Sequence, residues 1–149
     1  MSKRIAYAAA AAATATVLAA GAAGEANARW TETPRIGVVG EEVWTAGKNN
    51  CHGSFHAGLQ SDPAKPGMVR LTLRSAGFTK NNCKITVRFT YNNATPPFHH
   101  DRYLNVQGQR RPGALMAQKT YWIGSGLDLV AISTTHPASK GVSYYIAIA

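Results

Sequence analysis

The sequence predicts an all-β protein: a small antiparallel β-sandwich of about eight short strands, held by one disulfide and preceded by a cleaved signal peptide. Three observations carry that prediction. Apolar and polar residues alternate with period two along nearly every segment after residue 28, and helical periodicity is almost absent. Gly, Pro and Asn interrupt these segments at regular short intervals, as turns between strands do. The only two cysteines, Cys51 and Cys83, both lie in the alternating part.

The leader comes first. Of the 149 residues, the first 28 include 14 alanines. Lys3 and Arg4 form a basic start, residues 5–23 carry no charge, and Ala26-Asn27-Ala28 offers the small residues that a signal peptidase reads. Cleavage is therefore expected after Ala28, leaving residues 29–149 as one domain. An uncleaved anchor is the rival reading, because 19 uncharged residues are just long enough to span a bilayer. Alanine contributes little transfer energy, however, and the Ala-x-Ala site is well formed. The alanine-rich leader resembles those of high-GC bacteria such as actinobacteria. The resulting expectation is a bacterial protein secreted to the medium or the cell envelope, with no membrane span in its mature form.

The strands follow in order. Segments 36–39 and 41–45 form an expected pair around Gly40. Segment 54–59 puts Phe55, Ala57 and Leu59 on one face, with turn signals at Asp62-Pro63 and Pro66-Gly67 behind it. In segment 68–75, Val69, Leu71 and Leu73 alternate with Arg70, Thr72 and Arg74; in 84–91, Ile85, Val87, Phe89 and Tyr91 alternate with Lys84, Thr86, Arg88 and Thr90. This is the pattern of strands with one face in a core and one in water, and antiparallel pairing of the two is expected. Segment 102–106 is short. Segments 117–123 and 127–134 flank Gly124-Ser125-Gly126, which reads as a hairpin turn. Segment 142–148 closes the chain with Val142, Tyr144, Ile146 and Ile148 on one side. The best helix candidate, 114–118, is too short and too near glycine to stand. A series of this kind resembles the immunoglobulin-like sandwich class in outline.

Two cysteines in an oxidising compartment allow a single bridge, Cys51 to Cys83. The 31 residues between them exclude a CxxC metal or redox pair. The chain-entropy argument assigns a loop of this length about 3–4 kcal/mol. Lys48-Asn49-Asn50-Cys51 is echoed by Lys80-Asn81-Asn82-Cys83, so two similar turns would deliver the cysteines.

Charge is the firmest functional clue. Beyond residue 28 there are 14 Lys and Arg against 6 Asp and Glu, a net charge of +8. Twelve aromatics in the same stretch argue against disorder. Arg70, Arg74, Lys84 and Arg88 are expected to share one outward face interleaved with threonine, suited to a polyanion. The plainer alternative is a basic surface that aids solubility and deters edge pairing. An anionic cell-envelope polymer or another extracellular protein is the expected partner. Nucleic acid ranks low, since no nucleic-acid motif is present.

A second cluster, His99, His100, Asp101, Arg102 and Tyr103, follows Pro96-Pro97 and reads as a stiff polar connection that could bind a partner. The alternative function built on it is a secreted hydrolase or metal-dependent enzyme using His99, His100 and Asp101; an extracellular inhibitor or toxin is a third. Local catalytic signals are weak. Gly124-Ser125-Gly126 lacks the Gly-x-Ser-x-Gly spacing of a nucleophile elbow. His52 and His56, four apart on a strand, would sit about 13 Å from each other, too far for one ion. The expectation is a non-catalytic binding protein with no cofactor and no metal. Asn93-Ala94-Thr95 matches the glycosylation acceptor pattern, and is expected to be unused in a bacterial setting.

Overall fold

In the computed structural model the described residues are 29–47, 49–93 and 98–149. The expected signal peptide, the Ala94-Thr95 half of the acceptor pattern, Pro96-Pro97 and Lys48 of the first turn lie outside them.

The described residues form eleven strands: β1 (Thr31–Glu32), β2 (Arg35–Val39), β3 (Val43–Gly47), β4 (Cys51–Ser61), β5 (Met68–Phe78), β6 (Cys83–Asn92), β7 (His99–Gly108), β8 (Leu115–Trp122), β9 (Gly126–Thr134), β10 (Ser139–Lys140) and β11 (Val142–Ile148). Among the described residues there is no helix, so none long and apolar enough to cross a membrane. One sheet has the order β10-β3-β4-β5-β8, with β1 also paired to β4. The other has the order β2-β11-β9-β6-β7. Every pairing is antiparallel.

The alternation determines what the sheets enclose. Phe55, Leu59, Leu71 and Leu73 of the first sheet share one core with Val87, Phe89, Val130, Ile132 and Ile146 of the second, and all are fully buried. Each such side chain contributes about 1.5–3 kcal/mol by leaving water. Close packing sets local identity as well. A Cβ at Gly108 would stand 2.7 Å from the Phe78 ring, so the ring at the end of β5 requires glycine opposite it.

The disulfide is a clamp between the sheets. It joins the first residue of β4 to the first residue of β6, with Cα atoms 5.6 Å apart. The echoed turns lie side by side: Thr79 Oγ1 donates to the Asn50 carbonyl at 2.6 Å, and Lys80 Nζ donates to the Asn49 carbonyl at 2.6 Å. Asn49, Asn50 and Asn82 adopt left-handed backbone, which asparagine tolerates better than most residues.

Three expected neighbour relations are corrected. β5 pairs with β4 and β8, while β6 pairs with β7 and β9. Residues 79–82 therefore carry the chain from one sheet to the other. The Gly124-Ser125-Gly126 segment likewise arches from β8 in one sheet to β9 in the other, and the residues around Gly40 arch from β2 to β3. A hairpin and an inter-sheet arch present the same alternation in sequence. The arch wins here because it turns both apolar faces toward one core.

Candidate functional site

The arch between β5 and β6 divides the expected basic face. Arg70 and Arg74 stand on the outside of one sheet, and Lys84 and Arg88 on the outside of the other. The four are not one surface.

Their surroundings differ. Arg70 lies over the Trp30 indole, 4.1 Å from its centroid. Arg74 donates to the Gly113 carbonyl at 3.1 Å and borders a hollow of about 290 Å³ that also contains Glu32. Glu32 brings a carboxylate, and it pairs with Arg35 at 2.8 Å. That face is mixed in sign.

On the second sheet the outward residues of β6 and β7 stand in matched pairs: Lys84 with Gln107, Thr86 with Asn105, Arg88 with Tyr103, Thr90 with Asp101, and Asn92 with His99. Residues 99–103 thus belong to a strand and not to a loop, because their backbone groups pair along the end of β6. The strand pleat divides them. His99, Asp101 and Tyr103 point outward, whereas His100 and Arg102 point toward Tyr91. His100 stacks on Tyr91 at 4.9 Å with the rings 15° apart, and Arg102 Nη2 donates to the Tyr91 hydroxyl at 3.2 Å.

Asp101 organises the outward cluster. Its Oδ1 accepts a hydrogen bond from Thr90 Oγ1, lies 3.6 Å from His99 Nε2 and 4.0 Å from Arg88 Nε. The Thr90 hydrogen bond first, then the Arg88 and His99 charges, hold the carboxyl below its usual range. Asn92 Oδ1 lies 3.0 Å from His99 Nδ1. Both ring nitrogens of His99 therefore face oxygen acceptors, which leaves neither directed at a hydroxyl nucleophile. Among the described residues, no group of three or more His, Cys, Asp or Glu side chains is placed to hold a metal ion.

The β6–β7 face leads into a cleft at the disulfide end of the sandwich. A shallow groove of about 370 Å³ runs along Lys84, Thr86, Asn105 and Gln107. Beyond it lies a cleft of about 590 Å³, lined among others by Thr45, Lys80, Asn82, Lys84, Thr134 and His136. Lys84 and Thr86 border both. Inside, the Thr134 hydroxyl donates to the Thr45 hydroxyl at 3.1 Å. No carboxylate lines the groove or the cleft among the described residues.

Comparison with protein-family models, with curated proteins and with solved structures returns no match. Function has to be argued from the site itself.

Of the nine expected binding residues, Lys84, Arg88, His99, Asp101 and Tyr103 share one outward face. Arg70 and Arg74 are on the far sheet, and His100 and Arg102 turn to the inner side of β7. Sequence reasoning missed Lys80, His136 and the cleft threonines. Lys80 did carry a signal, as the repeated lysine of the two K-N-N-C turns. The buried Thr45 and Thr134 had none, because their meeting depends on which sheets β3 and β9 join.

Proposed function

We propose that the protein is a small non-catalytic binding protein for an anionic extracellular polymer, which lies along the β6–β7 face and enters the cleft at Lys84. The reading is supported above all by the continuity of groove and cleft through Lys84, with Lys80 and His136 beyond it and no lining carboxylate among the described residues. Apart from Asp101, which Arg88 and His99 face, the charged groups along this face and cleft are basic, and such a surface attracts a chain of repeated negative charges and gains from the counterions released. Tyr103, 60 % exposed beside Arg88, adds a flat ring on which a sugar unit can rest. Threonine and asparagine side chains supply donors and acceptors for hydroxyl groups. The export expected from the leader would bring the protein to the cell envelope, where such polymers occur.

The test is a binding titration of the purified protein with two defined probes, a glycerol-phosphate polymer and a polyuronate, across a range of salt. Binding to either that weakens steeply as salt rises supports the reading, and the tighter probe identifies the charged group recognised. No binding to both, or an affinity indifferent to salt, contradicts it.

A further inference from the structure

The outer face of the β2-β11-β9-β6-β7 sheet changes character between β9 and β6. Along one row of cross-strand partners stand Ile36, Tyr145, Leu129, Asn92 and His99; along the next stand Val39, Ser143, Ala131, Thr90 and Asp101. The β6–β7 half is the polar face described above. The β2-β11-β9 half is uncharged in both rows and extends to Leu127 and Ala147.

Its large side chains are open to solvent. Ile36 is 55 % exposed, Val39 65 %, Leu127 64 % and Tyr145 44 %. Together they expose on the order of 450 Å², as much as the largest apolar patch on a typical monomer, and such patches are often functional. We propose that this face binds a second copy of the chain, sheet against sheet about a two-fold axis.

Area and charge favour that occupant. Two such faces bury about 900 Å² together, close to the lower bound for a specific interface, which matches a reversible dimer. The mature chain carries a net charge of +8, so two copies repel over most of their surface. The β2-β11-β9 half is where they can meet without opposing charges, whereas an acidic partner would choose the β6–β7 half instead. A two-fold axis makes one flat patch complementary to itself. Edge-to-edge addition at β2 is disfavoured, because the strand carries an extra residue at Gly37-Val38, with Gly37 in left-handed backbone. Such a bulge twists an edge away from a new strand. The face remains.

The experiment is sedimentation velocity on the purified disulfide-bonded protein from ~1 to ~500 μM, the range in which an interface of this size dissociates. A mass rising toward twice the monomer, and held at one monomer by Leu127→Lys or Val39→Lys, is expected. Both positions are exposed, and the milder Leu127→Asn serves if a lysine variant fails to fold. A wild type that stays monomeric throughout overturns the proposal, as does association that all three variants leave unchanged. Association weakened instead by Lys84→Gln assigns the contact to the other half and also overturns it.

Discussion

His99 and His100 are consecutive, yet they lie on opposite faces of β7. His99 faces Asp101 on the outside, with Nε2 3.6 Å from its carboxylate, while His100 stacks on the buried ring of Tyr91. The relation follows from the strand pleat alone, which sends successive side chains to opposite faces. It separates a surface group from a packing group within one dipeptide.

The two histidines should therefore behave differently on truncation. His100→Ala removes a stacked ring from beside Tyr91 and is expected to cost about 1–2 kcal/mol. His99→Ala should stay within about 0.5 kcal/mol, as exposed substitutions usually do. Urea denaturation of the two variants compares them directly. Equal losses would place both rings in similar surroundings and contradict the observed face assignment.

How much of the fold is legible in the sequence depends on the residue. The alternation of Val69, Leu71 and Leu73, and of Ile85, Val87 and Phe89, is enough by itself to assign these side chains to a core, and segment 142–148 coincides with β11. The bridge between Cys51 and Cys83 is equally plain. Partnership is not legible. Residues 79–82, Gly124-Ser125-Gly126 and the Gly40 turn all read as hairpins, because a turn signal reports that the chain reverses and not which sheet receives it. That ambiguity misassigns Arg70 and Arg74 to the neighbourhood of Lys84 and Arg88. The candidate site is half legible for the same reason: Arg88, Tyr103 and Asp101 meet through a β6–β7 register that no local pattern encodes.

Asp128 sets a pH dependence of known sign. It points inward from β9, is 2 % exposed, and burial pushes its carboxyl up to about 6. The folded state thus holds this proton more tightly than the unfolded chain, whose ordinary value is 3.8. Its contribution to stability is fully present below pH 3.8 and is lost as pH rises through 6. Asp101 has the opposite sign: its lowered carboxyl stabilises above the ordinary value, and that contribution is lost on acidification. Asp128→Asn should gain on the order of 1 kcal/mol at neutral pH and nothing near pH 4. Denaturation midpoints measured across pH check this, and a variant with the wild-type pH profile would contradict it.

The disulfide should matter more than its single bond suggests, because it ties β4 in one sheet to β6 in the other. Cys51→Ala with Cys83→Ala is expected to lower stability by about 3–4 kcal/mol. It should also loosen the cleft lined by Asn82 and Lys84, which the bridge flanks. Chemical denaturation measures the first effect, and amide exchange at residues 79–86 the second. Unchanged exchange there would mean that the hydrogen bonds between the two turns hold the cleft without the bridge.

The most direct test of the binding face compares two double variants in a titration with the glycerol-phosphate polymer. Lys84→Gln with Arg88→Gln should weaken binding at least tenfold and reduce the salt slope by about 2, one for each contact removed. Arg70→Gln with Arg74→Gln removes the same charge from the far sheet and should leave the affinity within about threefold. Equal losses from both pairs would mean that net charge alone attracts the polymer, and the claim that the β6–β7 face is the binding site would be contradicted.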